Sequence, residues 1–574
     1  MSAAHCLNRH CIAVLALWMC AFAPRASALN EIIFEDIFGR ALNTRGMVLV
    51  DWEGQIANPA IKIFVRPPSD ATFPATAAIS STQPRLYFDL PSTASATGPG
   101  KSLSFPNSTP LPVLVSIYPD RDTSDENHAL SITFTAAGGA QRTQTLAVRV
   151  VDQDKAQPPL FAVTMDFTKD QTGFFNVAAR RDIVRQVAED WAYFFTGMNL
   201  DLVPAGAEQT FIWNPTGFIN GNYTTNSAAY RGFLLYAYGI SAASPPYRSG
   251  GEPSFAGGFQ ASGGSALPLK RSGGTEIEIK GNFNTLGWYL TTGDDDWWIA
   301  SNFGNEQNDL ASIAHHEIGH SLIFNPSHTL FGTFKANGAI DDADVVDYVG
   351  NPVAIDSSDH LNGTIDRLSQ KGAFGYEYFG NVPRRRWTIT KLDLLVAQAV
   401  GYTLRATSAF APLAIDTTGL PRGAVASYFA QTLRASGGIP FYKWSVVSGA
   451  LPGGLVLDSF TGAIAGNPTA VGTFAFEVEL RDYDPQTPPL TRSLQIRVEA
   501  IPFLITAVEK SGANVLVKFT TISGKTYRVE YKDDLPAATW TVLAASVSGT
   551  GNVVTVPDAG AASLGKRFYR AVEL

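Results

Sequence analysis

Cysteine is scarce and confined: Cys6, Cys11 and Cys20 are the three in 574 residues, so nothing beyond residue 20 can enter a disulfide. The rest of the chain has to be held by apolar cores large enough to do without cross-links. Charge is also sparse. Asp, Glu, Lys and Arg make up 16% of the chain, and the formal net charge is −8. That acidic balance argues against nucleic acid or an anionic membrane surface as partner. The apolar run from Ile12 to Ala23 is too short to span a bilayer, and no stop-transfer segment follows it. Methionine is absent after Met198, and there are only eight histidines.

What is abundant is turn chemistry. With 51 Gly, 34 Pro and a mean hydropathy near zero, the chain reads as β-rich modules joined by short turns. Its length predicts about four domains. Residues 1–28 read as a secretory signal peptide: Arg9 is the positive end, Ile12 to Ala23 the apolar stretch, and Ala26-Ser27-Ala28 the small-residue cleavage site. The expected destination is outside the cell or on its surface. Removing the leader takes away Arg9 and Arg25 and no acid, which moves the formal charge from −8 to −10.

The histidines are not scattered. Of the six outside the leader, His315, His316, His320 and His328 fall together and His360 follows. The stretch Ala314-His-His-Glu-Ile-Gly-His-Ser-Leu-Ile-Phe324 contains H-E-x-x-H. On a helix, residues four apart share a face, so His316 and His320 can each offer a ring nitrogen to one zinc ion. Glu317 then projects beside the metal and can take a proton from metal-bound water. Asp309 or Asn308 can cap such a helix, and Leu310, Ile313, Ile318, Leu322 and Ile323 give it apolar faces. The bland alternative is a pair of buried histidines bonded to backbone groups. Once the leader is removed, no cysteine is left to hold the zinc in a latent form.

In chain order, residues 30–153 alternate in short strand-like runs separated by Pro, Gly, Ser and Thr, as in a β-sandwich; an accessory module and a propeptide both fit. At Gln157-Pro-Pro159 the pattern changes. A buried strand, Leu160 to Phe167, is followed by a helix in which Ile183, Val187, Trp191 and Phe195 recur every four residues. Strand, long helix, further strands and then a metal-binding helix is the order of zincin peptidase domains. Residues 157–405 therefore resemble a bacterial zincin, nearer the metzincins than the thermolysin group, and an α+β catalytic domain is expected there. Asp294, Asp295 and Asp296 could ligate calcium, but the D-x-D-x-D-G spacing is missing, so a plain acidic turn is expected.

Metzincins continue H-E-x-x-H-x-x-G-x-x-H; here Ile323 and Pro326 stand at the glycine and third-histidine positions. The third zinc ligand is left between His360, His328 and a carboxylate such as Glu377. The His360 arrangement is similar to leishmanolysin-like peptidases, in which an insertion precedes the third histidine, and that resemblance makes His360 the expected ligand, with His328 as the alternative. A turn under the metal and a helix ending in Gly-Tyr, here Gly401-Tyr402, come after the third histidine. That turn lacks the methionine of the metzincins, and the resemblance puts Phe379 or Tyr378 in its place as an apolar floor. Tyr376 or Tyr378 would then help to stabilise the oxyanion, with ordinary packing as the plainer role.

Residues 407–499 resemble an immunoglobulin-like family close to the dystroglycan-type cadherin-like domains, through Gly437-Gly-Ile-Pro-Phe-Tyr-Lys-Trp444 and Asp458-Ser-Phe-Thr-Gly-Ala-Ile-Ala-Gly-Asn-Pro468. Residues 501–574 read as a fibronectin-III-like β module. Each segment has its own apolar pattern, which predicts separate cores. The overall expectation is a secreted, multidomain zinc endopeptidase: an α+β domain flanked by β-sandwiches, acting on protein or peptide. The C-terminal modules would serve to hold a cell-surface or matrix polymer. The rival expectation is an adhesin whose zincin-like centre is structural or inactive.

Overall fold

The computed structural model describes residues 29–83, 85–89, 100–154, 157–159, 162–170, 172–196, 202–206, 209–212, 222–239, 255–259, 275–281, 287–289, 307–326, 328–374, 387–500, 504–522 and 524–574. The leader, Asp294 to Asp296 and residues 375–386, which include Tyr376, Glu377, Tyr378 and Phe379, lie outside them. The architecture is multidomain and mostly β-sandwich, with few helices. Among the described residues no helix is long and apolar enough to cross a membrane.

The first sandwich follows from period-two burial. Ala75–Ser81 and Ile61–Arg66 bury alternate residues, so each strand gives one face to a core and one to water. A four-stranded sheet runs in the order Ile33–Glu35, Ile61–Arg66, Leu111–Ile117, Leu86–Asp89. A five-stranded sheet runs Met47–Asp51, Gln141–Asp152, Glu126–Thr135, Ala75–Ser81, Gly100–Phe105. Phe34, Trp52, Phe88, Phe105 and Phe134 are buried in this region.

In the middle region the pattern becomes mixed. Thr164–Asp166, Phe233–Gly239 and Thr275–Gly281 pair in parallel, and Phe255–Phe259 adds an antiparallel edge. Parallel strands need a crossover, and α1 (Ala178–Phe194) is part of the one between the first two. Its Ile183, Val187 and Trp191 are fully buried. Among the described residues four more α-helices follow: α2 (Leu310–Leu322), α3 (Thr329–Asn337), α4 (Ala343–Val349) and α5 (Lys391–Ala399).

Two β modules complete the chain. In the first, Gly423–Ala424, Leu490–Glu499, Gly472–Arg481 and Lys443–Gly449 form one sheet and Phe429–Thr432, Ala463–Gly466 and Leu455–Leu457 another, around Trp444, Ile464, Val478 and Ile496. In the second, two three-stranded sheets enclose Val517, Phe519, Tyr527 and Val529. The apolar patterns predict separate cores, and these two modules have them. The first sandwich and the middle region instead share one continuous core, which also takes in Ile439, Phe441 and Tyr483 of the first of these two modules, the third module along the chain. Period-two and period-3.6 patterns mark the buried face of an element but not the element it is buried against.

Candidate metal centre

α2 begins where its cap allows. Asp309 accepts from the Ser312 backbone at 3.1 Å and from its hydroxyl at 2.6 Å, satisfying a donor that the first helical turn leaves open. The Ser312 hydroxyl in turn accepts from the Trp387 backbone at 2.8 Å, which ties the start of α2 to the chain entering α5. The far end is closed by α5: Gly401, at φ 100, lets the chain turn sharply, and the Tyr402 hydroxyl then donates to the Leu322 carbonyl at 2.7 Å. Behind the helix, the Trp191 indole of α1 donates to the His315 carbonyl at 3.2 Å. The helix that carries the histidines is thus pinned at both ends and along its back.

On this helix the predicted His316 and His320 meet His360, which arrives on the segment after α4. The three imidazoles each offer a nitrogen within 4.8 Å of the others. His360 Nε2 stands 3.2 Å from His320 Nε2 and 3.3 Å from His316 Nε2. Hydrogen bonds behind the rings decide which nitrogens are bare. His320 Nδ1 lies 2.8 Å from the Phe324 carbonyl oxygen, which can only accept, so the proton sits on Nδ1 and Nε2 keeps its lone pair. His360 Nδ1 faces the Asp356 carboxylate at 3.3 Å, and the same reasoning leaves its Nε2 bare.

Two lone pairs therefore point at each other across 3.2 Å, an arrangement that repels unless a cation lies between them. Extra protons are a poor answer. Burial holds His316 well below the usual histidine range, helped by the neighbouring His320 and His360, and pushes His320 down to about 4. A tetrahedral zinc site with Zn–N bonds of about 2.0–2.1 Å separates its nitrogens by about 3.3 Å. The donor set fits such an ion in both chemistry and spacing, with an outer partner already behind two of the rings.

Beneath the histidines lies Phe374. Its ring stacks on His316 with centroids 4.8 Å apart at 5°, meets His320 edge-on at 4.9 Å, and stacks on Phe324 at 3.7 Å. The position is made possible by Gly319: a Cβ there would collide with Phe374 Cε2. Phe374 is held in turn by Asp393 in the first turn of α5, which accepts its backbone N–H at 2.9 Å while closing a capping box with Thr390. Sequence reasoning placed the floor at Phe379 or Tyr378, outside the described residues, and did not single out Phe374, Gly319 or Asp356. The i+3 relation of Gly319 to His316 and the Asp four residues before His360 were the available signals.

Glu317 is buried on α2, 3% exposed, next to His316. His328 goes elsewhere. It ends the turn after α2, stands just before α3 without a side-chain bond to its first turn, and packs its ring 5.9 Å from that of Tyr402. It is 2% exposed, and neither ring nitrogen has a hydrogen-bond partner among the described residues. A second group of carboxylates, Asp120, Asp122 and Asp152, is also brought together, but there Arg85 supplies counter-charge to Asp51, Asp120 and Glu126.

Set beside known proteins, the chain shows one family match: residues 406–497 fit the family described as Putative Ig domain. The third module is an immunoglobulin-like domain. That agrees with the resemblance read in residues 407–499. No curated protein matches the sequence. Among solved structures, a putative alpha-galactosidase from Bacteroides fragilis aligns at 26% identity over 16% of this chain, with a TM-score of 0.14. This chain spans 18% of that protein's length. Mouse cadherin-23 EC22-24 aligns at 10% identity over 82% of this chain and 100% of its own, with a TM-score of 0.15. Domains 3–6 of protocadherin gamma B2 align at 9% over 82% and 78%, with a TM-score of 0.17. At those scores the alignments carry no argument about the middle region.

Proposed function

We propose that the chain is an extracellular zinc-dependent endopeptidase of zincin type, with His316, His320 and His360 as metal ligands and Glu317 as general base. The observation that carries this reading is the convergence of three imidazoles, with His360 Nε2 3.2 Å from His320 Nε2 and 3.3 Å from His316 Nε2, and with Phe324 and Asp356 behind two of the rings. Three protein ligands, with no fourth among the described residues, are the number a catalytic zinc site uses when one position is kept for water. Zinc bound there would polarise a scissile carbonyl and make water acidic enough to attack near neutral pH.

The chain's own residues do the rest. Phe374 keeps the ring planes of His316 and His320 in place from below. Glu317, out of bulk water, accepts the proton of the attacking water and delivers it to the departing amine. The mixed sheet supports this assignment: its antiparallel edge strand, Phe255–Phe259, packs alongside α2, where an extended peptide could be received. Zinc content and cleavage of an unstructured protein by wild type and by Glu317→Gln test the reading. Unchanged cleavage in the variant would end it.

A second reading is favoured by the family match, which falls on an immunoglobulin-like module and on nothing enzymatic. In it the protein binds a cell-surface or matrix partner, and the three histidines hold a structural metal. A structural site has no need of a general base and usually fills its fourth position with protein. Stoichiometric zinc with no hydrolysis in wild type, together with saturable binding to cells or matrix, would select this reading.

A further inference from the structure

His360 and Phe374 stand at the two ends of one closed loop. The Leu361 backbone donates to the Phe374 carbonyl at 3.0 Å, and further bonds from Ala373 to Thr364 and from Asp366 to Lys371 zip the loop toward its tip. The third histidine and the ring beneath the other two are therefore delivered by a single unit, residues 360–374. At its base the loop is held by Asp393, which accepts from the Phe374 backbone, and by Asp356, which accepts from the His360 backbone. Its tip is held by the flanking modules.

Two cations there reach in different directions. Arg367 forms a two-pronged pair with Asp484 of the immunoglobulin-like module, at 2.6 and 2.7 Å, while its guanidinium lies over Tyr348 at 4.7 Å. Lys371 is buried, and its ammonium lies over the rings of Tyr118 at 4.3 Å and Tyr87 at 5.4 Å, both from the first sandwich. The Ala60 backbone of that sandwich also donates to the Leu368 carbonyl at 2.8 Å. Buried Asp366, next to Arg367 in the chain, accepts from Tyr348 of α4 and from the backbone of Leu392 of α5.

We propose that Arg367 with Asp484, and Lys371 with Tyr118, are positioning residues of the metal centre, so that both flanking modules set the placement of His360. This rests on the zinc reading above. It assigns the first sandwich to the working protein and not to a discarded propeptide. It also gives the immunoglobulin-like module a role apart from binding a partner. A forked arginine–carboxylate pair fixes orientation as well as distance, and a buried ammonium held over ring faces resists being moved into water. Loosening either grip lets the loop tilt, and the ligand at its base moves with it.

The test uses the full chain. Asp484→Asn and Tyr118→Leu are compared with wild type for zinc affinity by chelator competition and for the visible spectrum of the cobalt-loaded protein, which reports coordination geometry. Each variant is expected to lose on the order of ten-fold in zinc affinity and to shift the cobalt bands, as for other outer partners of metal ligands. Asp484→Glu should recover part of the loss. Arg367→Lys, which keeps the charge and loses the fork, serves if Asp484→Asn folds poorly. Arg45→Gln breaks a different contact with the same module, the Arg45–Asp458 pair, and should leave both readouts unchanged. Wild-type affinity and spectrum in Asp484→Asn and Tyr118→Leu would overturn this proposal alone. An equal loss in Arg45→Gln would overturn it too, by making the effect one of general stability. A wild-type chain that takes up neither zinc nor cobalt would overturn the zinc reading and this one together.

Discussion

The turn that carries His328 and the loop that carries His360 both bring the chain back after α2, and each presents an imidazole. His328 is the more deeply buried; His360 is half-buried. His328 packs on Tyr402 with no hydrogen-bond partner for either nitrogen among the described residues, and desolvation lowers its pKa. His360 has a carboxylate behind one nitrogen and two imidazoles before the other. In the proposed zinc site a ligand is therefore distinguished by what orients it and by the nitrogen left facing its partners, not by depth of burial or nearness in sequence. Partial exposure suits a site that must admit water.

The sharpest way to break the comparison is to remove each histidine in turn. His360→Ala should weaken zinc binding by about a thousand-fold or more and abolish hydrolysis, since two ligands from one helix turn cannot close a zinc site. Chelator competition checks this, and retained stoichiometric zinc would reverse the assignment. Glu317→Gln separates chemistry from binding. Zinc content should stay at one per chain while turnover falls by about 10²–10⁴-fold, the worth of a positioned base.

A smaller effect is expected one shell out. Asp356→Asn keeps the shape behind His360 but removes the charge that favours its Nδ1 proton, and should cost about ten-fold in zinc affinity. Equilibrium dialysis with the variant and wild type in parallel would show it. The smallest effect belongs to His328→Leu. Zinc affinity should not change, and thermal unfolding should show stability equal to wild type or raised by about 1 kcal/mol, because an apolar side chain replaces a buried ring without partners. A large loss of zinc in this variant would erase the distinction between the two histidines.

Much of the centre was legible because it is local. Helical period alone puts His316 and His320 on one face and Glu317 beside them, and the cap at Asp309 follows from the residue type at the helix start. The β modules were legible for a similar reason: alternation and turn residues repeat within each strand, and the family match falls on the segment where that pattern was read. Tyr376 and Tyr378 remain proposals of the sequence, since they lie outside the described residues.

What the sequence by itself determined, then, are the features set by neighbours in the chain: a metal-spaced helix turn, strands with one wet face, and a run of separate modules. Tertiary structure supplied what the sequence could only weigh, that His360 meets the helix pair and His328 does not, and it added that Phe374 lies beneath the pair and that Gly319 makes room for its ring. It also decided that the first sandwich and the middle region share a core. The physical reason is common to all of these. The entropy of closing a loop grows only slowly with its length, so spacing along the chain barely separates a near ligand from a far one. The choice falls to contacts such as Asp356 behind His360 and Asp393 behind Phe374, whose partners come together only in the folded chain.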